Sequence, residues 1–330
     1  MTACALDPAG IHEVCYSMGG ANGWVFVGAI EMLEQMLACH GLRMVDQIHT
    51  AAGASVGSIF ALTHALRMTA RDTRNIAQHI VDHCRHLEFD VFAIGNKLGA
   101  AAMDPIRVMV QTLLTHRLGF GTSDMTLQQM YRATAVTLRV VAHNLSRGCN
   151  ECLSWQTTPD LEVWRAICMS CSIPVVFQPQ TWHGHVYTDG GVSSGFPIEQ
   201  IDLAHGVAFH LRDEVPTVPA ENMGLQDFLW RLVIAAHAQQ QVKIDHLPAA
   251  LRARVISVPV PGTTAAASGF QLEPDVIRTL IQRGQRAALN LFYPHVTRAI
   301  AVFTLFIQLS TLTSNHRRAR QRTRRRHYSV

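Results

Sequence analysis

The sequence Ala51-Ala52-Gly53-Ala54-Ser55-Val56-Gly57-Ser58 decides the fold of this chain. It ends an alternating run that predicts a strand over residues 45–52, and it precedes residues 59–66, whose apolar side chains recur at helical spacing. A Gly-x-Ser-x-Gly pattern between a strand and a helix is typical of a nucleophile elbow, where small neighbours allow a sharp turn that exposes the serine. We therefore predict Ser55 as a nucleophile. A glycine-rich turn without chemistry is the alternative.

A second glycine-rich turn, Gly19-Gly20-Ala21-Asn22-Gly23, lies upstream, between a predicted strand at residues 13–18 and a predicted helix at residues 24–37. Glycines at the start of a helix let backbone N–H groups point outward, where they stabilise negative charge. The turn is therefore a candidate site for a phosphate or for an oxyanion. Its spacing does not match the Gly-x-Gly-x-x-Gly pattern of dinucleotide-binding proteins.

A carboxylate follows a later strand. Residues 135–144 and 186–188 have the composition of strands, and residues 163–171 between them predict a buried helix. Asp189-Gly190-Gly191 comes directly after the second strand. Functional side chains of parallel α/β sheets gather at the carboxyl ends of the strands. We therefore expect Asp189 at that edge of the sheet.

The composition indicates a globular protein. A chain of 330 residues with 48% apolar residues can bury a large core. Seven arginines lie in the last fourteen residues, and without them the chain has 21 basic against 24 acidic residues. Because the body is close to neutral, we expect it to bind no nucleic acid. The Arg-rich tail fits anionic lipid headgroups, a nuclear address or a disordered end, so its partner is unknown.

The C-terminal third predicts strands at residues 206–211 and 255–260 and helices at residues 225–245 and 274–291. Residues 299–314 are uncharged but fall short of the roughly 20 residues that span a bilayer, so a buried or interfacial helix is favoured over a membrane anchor. We predict a catalytic domain at residues 11–211, a mostly helical extension at 212–315 that completes or caps it, and a disordered tail at 316–330.

No signal peptide is predicted at the start of the chain, so we expect an intracellular protein with reduced cysteines, cytoplasmic or peripherally bound to membranes. Two of its cysteine pairs, Cys149-x2-Cys152 and Cys168-x2-Cys171, have the spacing of a zinc site. The second pair falls in the predicted buried helix, where free cysteine is common. This favours packing over metal binding.

Three motifs occur in order along the chain, and together they resemble the patatin-like phospholipase family. Met18-Gly19-Gly20-Ala21-Asn22-Gly23 is similar to the glycine-rich motif of that family, Gly53-Ala54-Ser55-Val56-Gly57 to its nucleophile elbow, and Asp189-Gly190-Gly191 to its Asp-Gly-Gly motif. The segment from Ser170 to Phe177 also resembles the family sequence upstream of the aspartate. The resemblance extends from about residue 13 to residue 211.

The resemblance implies a three-layer α/β fold with a mostly parallel central sheet flanked by helices, here with a C-terminal helical extension. It also implies a lipid acyl hydrolase with a Ser-Asp dyad, in which Ser55 is the nucleophile and Asp189 the proton acceptor. Backbone amides of Gly19 and Gly20 would form the oxyanion hole. The supporting residues of the motifs would be Ala21, Gly23, Gly53, Gly57, Gly190 and Gly191. We expect no cofactor and no metal, a glycerophospholipid or other acyl-ester substrate, and a peripheral membrane surface as a partner.

The apolar residues between positions 89 and 114 allow two interpretations. They predict either a buried helical insertion or a cover over a lipid site, in which methionine and phenylalanine adapt to varied chains.

Two departures from the family keep other functions open. Met18 stands where the family usually has glycine, and Asn22 where it usually has arginine or lysine. One alternative is a degenerate domain that binds lipids or a partner without catalysis. Another is an esterase with a Ser-His-Asp triad, for which the candidate histidines are His205, His210 and His237. His183 and His185 are interpreted as part of a turn.

Overall fold

The structure of the protein is a computed structural model that describes residues 6–84, 88–214, 244–261 and 272–293, together with a few positions between 217 and 231. Most of the helical region predicted at residues 225–245 lies outside the described residues, as do the apolar stretch 299–314 and the Arg-rich tail.

The described residues form a central sheet of eight strands in the order β10-β9-β1-β2-β4-β8-β7, with β5 on the other edge of β4. The five strands from β10 to β4 are parallel, whereas β5, β7 and β8 pair antiparallel with their neighbours. A separate parallel pair joins β3 and β6. The strands are β1 (Glu13–Tyr16), β2 (Thr50–Ala54), β3 (Gly99–Ala101), β4 (Thr137–Asn144), β5 (Cys149–Leu153), β6 (Val175–Phe177), β7 (Gln180–Trp182), β8 (His185–Asp189), β9 (Gly206–Glu214) and β10 (Val255–Pro261).

Helices flank this sheet, which confirms the predicted α/β fold class. The α-helices are α1 (Trp24–Cys39), α2 (Met44–Gln47), α3 (Val56–Ala65), α4 (Ala70–Cys84), α5 (Ile94–Lys97), α6 (Asp104–Leu118), α7 (Leu127–Thr134), α8 (Val163–Cys171), α9 (Gly191–Ser194), α10 (Ala249–Arg252) and α11 (Pro274–Phe292).

The two faces of the sheet bury separate cores because successive side chains of a strand point to opposite faces. Val14 and Tyr16 of β1 belong to the larger core, which the long helices α1, α3, α4, α6, α8 and α11 cover. Cys15 belongs to a smaller core with Phe196 and Ile244. The sheet is therefore the middle of three layers.

The strand predicted at residues 45–52 is wrong in its first half. Residues Met44–Gln47 form the short helix α2, and β2 begins at Thr50 and continues to Ala54. Met44 and Ile48 are both buried in the larger core. They are four positions apart, and this helical spacing outweighs the alternating pattern.

The chain beyond residue 211 packs onto the same sheet and core. β9 continues to Glu214, and β10 pairs with it in parallel along its whole length. α11 lies so close to α1 that a Cβ atom on Gly284 would be 1.9 Å from the carbonyl oxygen of Val25, and one on Gly28 would be 2.0 Å from that of Ile281. The division of the chain at residue 211 remains a prediction.

The contact between α1 and α11 predicts that Gly284→Ala destabilises the protein. The added methyl group would meet backbone atoms, which cannot turn aside, so the helices must separate. We expect the free energy of unfolding to fall by about 1–3 kcal/mol in denaturant titrations. Gly95→Ala in α5, where nothing beyond the adjoining backbone of the same helix lies within 4 Å of the added group, is the control. Equal stability of the two variants would contradict the prediction.

Candidate active site

The ends of β2 and β8 meet on one edge of β4. Ala54, the last residue of β2, pairs with Val141, and Asp189, the last residue of β8, pairs with Ala142. β5 occupies the opposite edge of β4 across the same positions. β2 and β8 therefore approach each other head-on along a single edge. Asp189 lies beside the carboxyl end of β2, but it reaches that position on an antiparallel strand rather than on the expected parallel one.

Ser55 and Asp189 are in contact at this junction. The hydroxyl group of Ser55 donates a hydrogen bond of 2.7 Å to Oδ2 of Asp189, across 134 positions of the chain. Both residues are buried, with exposed fractions of 4% and 3%. Ser55 has φ 53° and ψ −134°, a conformation that L-residues rarely adopt. Such strain at a strand-to-helix turn is the geometry of a nucleophile elbow.

Three glycines of the predicted motifs are required by close backbone contacts. A Cβ atom on Gly53 would lie 2.2 Å from the carbonyl oxygen of Gly57, and one on Gly57 would lie 2.5 Å from that of Tyr16. One on Gly190 would lie 2.1 Å from the carbonyl oxygen of Val141. Any side chain at these positions would push apart the segments that hold Ser55 and Asp189.

Burial raises the pKa of Asp189 from 3.8 to about 7. Hydrogen bonds from the Ser55 hydroxyl and from the amide of Gly191, the latter 2.7 Å long, oppose this shift because they stabilise the carboxylate. Burial is the larger effect. A carboxyl group with this pKa can accept and return a proton near neutral pH.

The upstream glycine turn forms a 3-10 helix over Gly20–Gly23. Gly20 and Ala21 line a cavity together with Ser55, and Gly20 has φ 51°. Gly19 is not among the residues that line this cavity. Gly19 lies against Leu211, whose Cδ1 would be 2.3 Å from an added Cβ atom.

The cavity beside Ser55 encloses about 660 Å³, including its opening to solvent, and its walls are almost entirely apolar. Helices α1, α3, α4 and α6 and the segment from Cys171 to Phe177 supply its side chains. The lining residues are Gly20, Ala21, Gly23, Trp24, Ser55, Val56, Ile59, Phe60, Ala77, Ile80, Val81, Ile106, Cys171, Ile173 and Phe177.

Sequence reasoning missed the contribution of α4 to this cavity. Ala77, Ile80 and Val81 occur at helical spacing, which is the only signal they carry in the sequence. Within the apolar region at positions 89–114, Ile106 lines the cavity, whereas Met109 and Leu114 are buried in the larger core. In α6, the helical insertion is thus the better interpretation.

The family model of the patatin-like phospholipases matches residues 15–202, which is more than half of the chain. The protein belongs to this family.

The chain is similar to a probable lipid hydrolase of Invertebrate iridescent virus 6, with 27% identity over 199 residues, which are 59% of this chain and 64% of that protein. It is also similar to an uncharacterised protein of Acanthamoeba polyphaga mimivirus, with 24% identity over 62% of this chain and 67% of that protein. The chain thus spans about two thirds of the length of these relatives.

Among solved structures, VipD from Legionella pneumophila is similar to this protein with a TM-score of 0.53 and 15% sequence identity, over 88% of this chain and 68% of that one. At this level of identity, the likeness concerns the fold alone.

The two departures from the family motif are Met18, directly before the glycine turn, and Asn22, within it. The amide of Met18 donates to the carbonyl oxygen of Gly195 at 2.7 Å, and its own carbonyl oxygen accepts from the Ser17 hydroxyl at 2.8 Å. Met18 therefore links β1 to the loop that follows α9. Asn22 is buried in the turn.

The two described histidines considered for a triad, His205 and His210, make no hydrogen bond to the Asp189 side chain. His205 lies at the opposite end of the sheet, where its carbonyl oxygen accepts from the amide of His12. Nδ1 of His210 is 3.1 Å from the hydroxyl oxygen of Ser257, and His237 lies outside the described residues. The only described side-chain hydrogen bonds of Asp189 are those with Ser55 and Gly191.

The two cysteine pairs lie on different elements of the fold. Cys149 and Cys152 are on β5, whereas Cys168 and Cys171 are buried on α8. Within the described ranges, no group of three or more His, Cys, Asp or Glu side chains is placed to hold a metal ion. No helix in the described part of the chain combines the length and apolar character of a membrane span.

The raised pKa of Asp189 predicts that Asp189→Asn stabilises the protein at high pH. In the wild type, the unfolded carboxyl group ionises near pH 4 and the folded one near pH 7, so its contribution to the free energy of unfolding is lost between these values. A neutral amide avoids this loss. We expect the variant to gain on the order of 4 kcal/mol relative to wild type between pH 4 and pH 8.

Denaturant titrations at both pH values would measure this difference. Asp160→Asn, at an exposed position, is the control and should show no comparable change. If the free energy of unfolding of Asp189→Asn differs from that of wild type by the same amount at pH 4 and at pH 8, the prediction is contradicted.

Proposed function

We propose that this protein is a lipid acyl hydrolase of the phospholipase A type, which cleaves fatty-acyl esters through a Ser55–Asp189 dyad. The observation that carries the proposal is the 2.7 Å hydrogen bond between a strained, buried serine and a buried carboxyl group, beside an apolar cavity. The probable lipid hydrolase among its relatives supports the same reaction class.

The reaction begins with proton transfer. A serine hydroxyl is a weak nucleophile until a neighbouring base accepts its proton, and Oδ2 of Asp189 is at hydrogen-bond distance from Ser55 Oγ. As Oγ attacks the ester carbonyl carbon, its proton moves to Asp189 and the carbonyl oxygen becomes an oxyanion. The leaving alcohol then takes this proton from Asp189, and an acyl group remains on Ser55.

Water completes the cycle by the same route. Asp189 removes a proton from a water molecule, whose oxygen attacks the acyl-enzyme. The proton returns to Ser55 Oγ as the fatty acid leaves. In the acylation of Ser55, and again in the hydrolysis of the acyl-enzyme, Asp189 thus acts first as a base and then as an acid.

The glycine turn is the proposed oxyanion hole. We assign Gly19 and Gly20 as its amide donors, and the position of Gly20 and Ala21 in the cavity wall beside Ser55 supports the turn in this role. Donors aimed at the developing charge lower the barrier, and loss of one typically costs about 3 kcal/mol.

The cavity walls support an acyl chain as the group bound beside Ser55. No charged side chain is among the described residues that line the cavity, so none of these side chains can pair with a phosphate or another ionic head group. The acyl chain of a glycerophospholipid would enter the cavity, and the head group would remain toward solvent or the membrane surface.

The dyad predicts which variants lose activity. We expect Ser55→Ala and Asp189→Asn to lower turnover of a labelled phospholipid by at least about 10³-fold, because each removes one of two groups that act together. Labelling by a fluorophosphonate probe should be lost in Ser55→Ala. His205→Ala, at the far end of the sheet, should keep both activities. A histidine-dependent turnover would favour the triad instead.

A wild-type protein that binds phospholipid but neither labels nor cleaves any ester would favour the lipid-binding module, the alternative that Met18 and Asn22 keep open. A loss of turnover without a loss of binding in the dyad variants separates the two functions.

The pKa of Asp189 also predicts the pH dependence. Only the ionised carboxylate can accept the Ser55 proton, so kcat/KM should rise about tenfold per pH unit below pH 7 and level off above it. Initial rates on a neutral monomeric ester, whose own charge does not change, would measure this profile. A midpoint near pH 4 would contradict the raised pKa that burial gives to Asp189 in the free enzyme.

A further inference from the structure

The C-terminal end of α8 contacts both segments that carry the dyad. The hydroxyl oxygen of Ser170 accepts a 2.9 Å hydrogen bond from the backbone amide of Ser55. The same hydroxyl donates a 2.6 Å hydrogen bond to the carbonyl oxygen of Val141 on β4. Ser170 is fully buried, so both bonds lie away from bulk solvent.

The backbone of Ser170 and its neighbour hold the acidic segment. The carbonyl oxygen of Ser170 accepts from the amide of Gly190 at 3.3 Å. The carbonyl oxygen of Ser172 accepts from the amide of Asp189 at 2.9 Å and from the hydroxyl of Thr188 at 2.6 Å. One short segment therefore fixes the position of Asp189 through backbone bonds and that of Ser55 through a side-chain hydroxyl.

The side-chain bond from Ser170 to Ser55 matters because the backbone conformation of Ser55 is energetically unfavourable. At φ 53°, its backbone is held only if its surroundings supply compensating contacts. The hydroxyl of Ser170 supplies one, since it bridges the amide of Ser55 to the carbonyl oxygen of Val141 where β2 ends. The amide of Ser55 is thereby occupied and directed at α8.

We infer that Ser170 is a positioning residue for the proposed reaction: its hydroxyl holds the backbone of Ser55 in the conformation that directs Oγ toward Asp189. This inference rests on the proposed function. Ser170 does not line the cavity, whereas its neighbour Cys171 does. A change at Ser170 therefore acts on the geometry of the nucleophile and leaves the wall that meets the substrate unchanged.

The test compares Ser170→Ala with Ser172→Ala. Ser172 is equally buried at the same helix end, but its hydroxyl donates to the carbonyl oxygen of Met169 at 2.9 Å, whereas the Ser55 amide donates to Ser170. Its backbone bonds to the acidic segment survive the substitution. Both variants lose a buried hydrogen bond, so both should lose thermal stability.

Only Ser170→Ala should lose catalysis. We expect its kcat on a monomeric ester to fall by about 10–100-fold with KM unchanged, since misplacement of a reacting group by about 1 Å has effects of this size. Ser172→Ala should keep kcat within about threefold of wild type. Ser170→Thr, which retains the hydroxyl, should restore most of the lost kcat.

If the additional methyl group of Ser170→Thr prevents folding, Ser170→Cys is tested in its place. A thiol is a weaker hydrogen-bonding group than a hydroxyl, so its kcat should fall between those of wild type and Ser170→Ala.

Each outcome decides the inference. An active wild type with unchanged kcat in Ser170→Ala would overturn it and leave the proposed function intact. So would equal losses of kcat in Ser170→Ala and Ser172→Ala, which would show a general effect on stability. A wild type without turnover on any ester would refute the proposed function and this inference with it.

Discussion

The junction of two opposed strands on β4 is the constraint on which the candidate site depends. β4 pairs with β2 through residue 141 and with β8 from residue 142 onward, on the same edge. Because the register of each strand fixes which face its side chains take, the pairing with β4 determines which side chains meet where β2 and β8 end. Ser55 and Asp189 are brought into contact by this pairing.

The junction also sets the electrostatics of the site. It is buried, so the Asp189 carboxylate is largely removed from bulk solvent, and its charge is compensated by hydrogen bonds from the Ser55 hydroxyl and the Gly191 amide. A carboxyl group buried in this way lowers the free energy of unfolding as the pH rises from about 4 to above 7. Such a loss of stability is expected at a functional site and is unusual elsewhere.

Short motifs and strong periodicity were enough to predict much of the architecture. The strand–elbow–helix around Ser55, the strand ending at Asp189 and the helix at α8 could each be predicted, because glycine spacing and apolar patterns act locally. The start of β2 was predicted wrongly, since Met44 and Ile48 are apolar in either register and only the packing of α2 distinguishes them. The cavity wall in α4 was missed because an amphipathic helix looks the same whether it faces a core or a cavity.

The sequence by itself determined the family and the α/β class, and it made Ser55 and Asp189 the candidate site residues, because the physical requirements of a sharp strand-to-helix turn restrict the residues at a few adjacent positions. Only the tertiary structure decided the rest: the antiparallel direction of β8, the role of α8 in holding both segments and the pKa of Asp189. These depend on contacts between segments that are separate along the chain, including the Ser55–Asp189 and Ser55–Ser170 bonds, which join residues 134 and 115 positions apart. No local pattern in the chain records which distant groups will surround a side chain once it is buried.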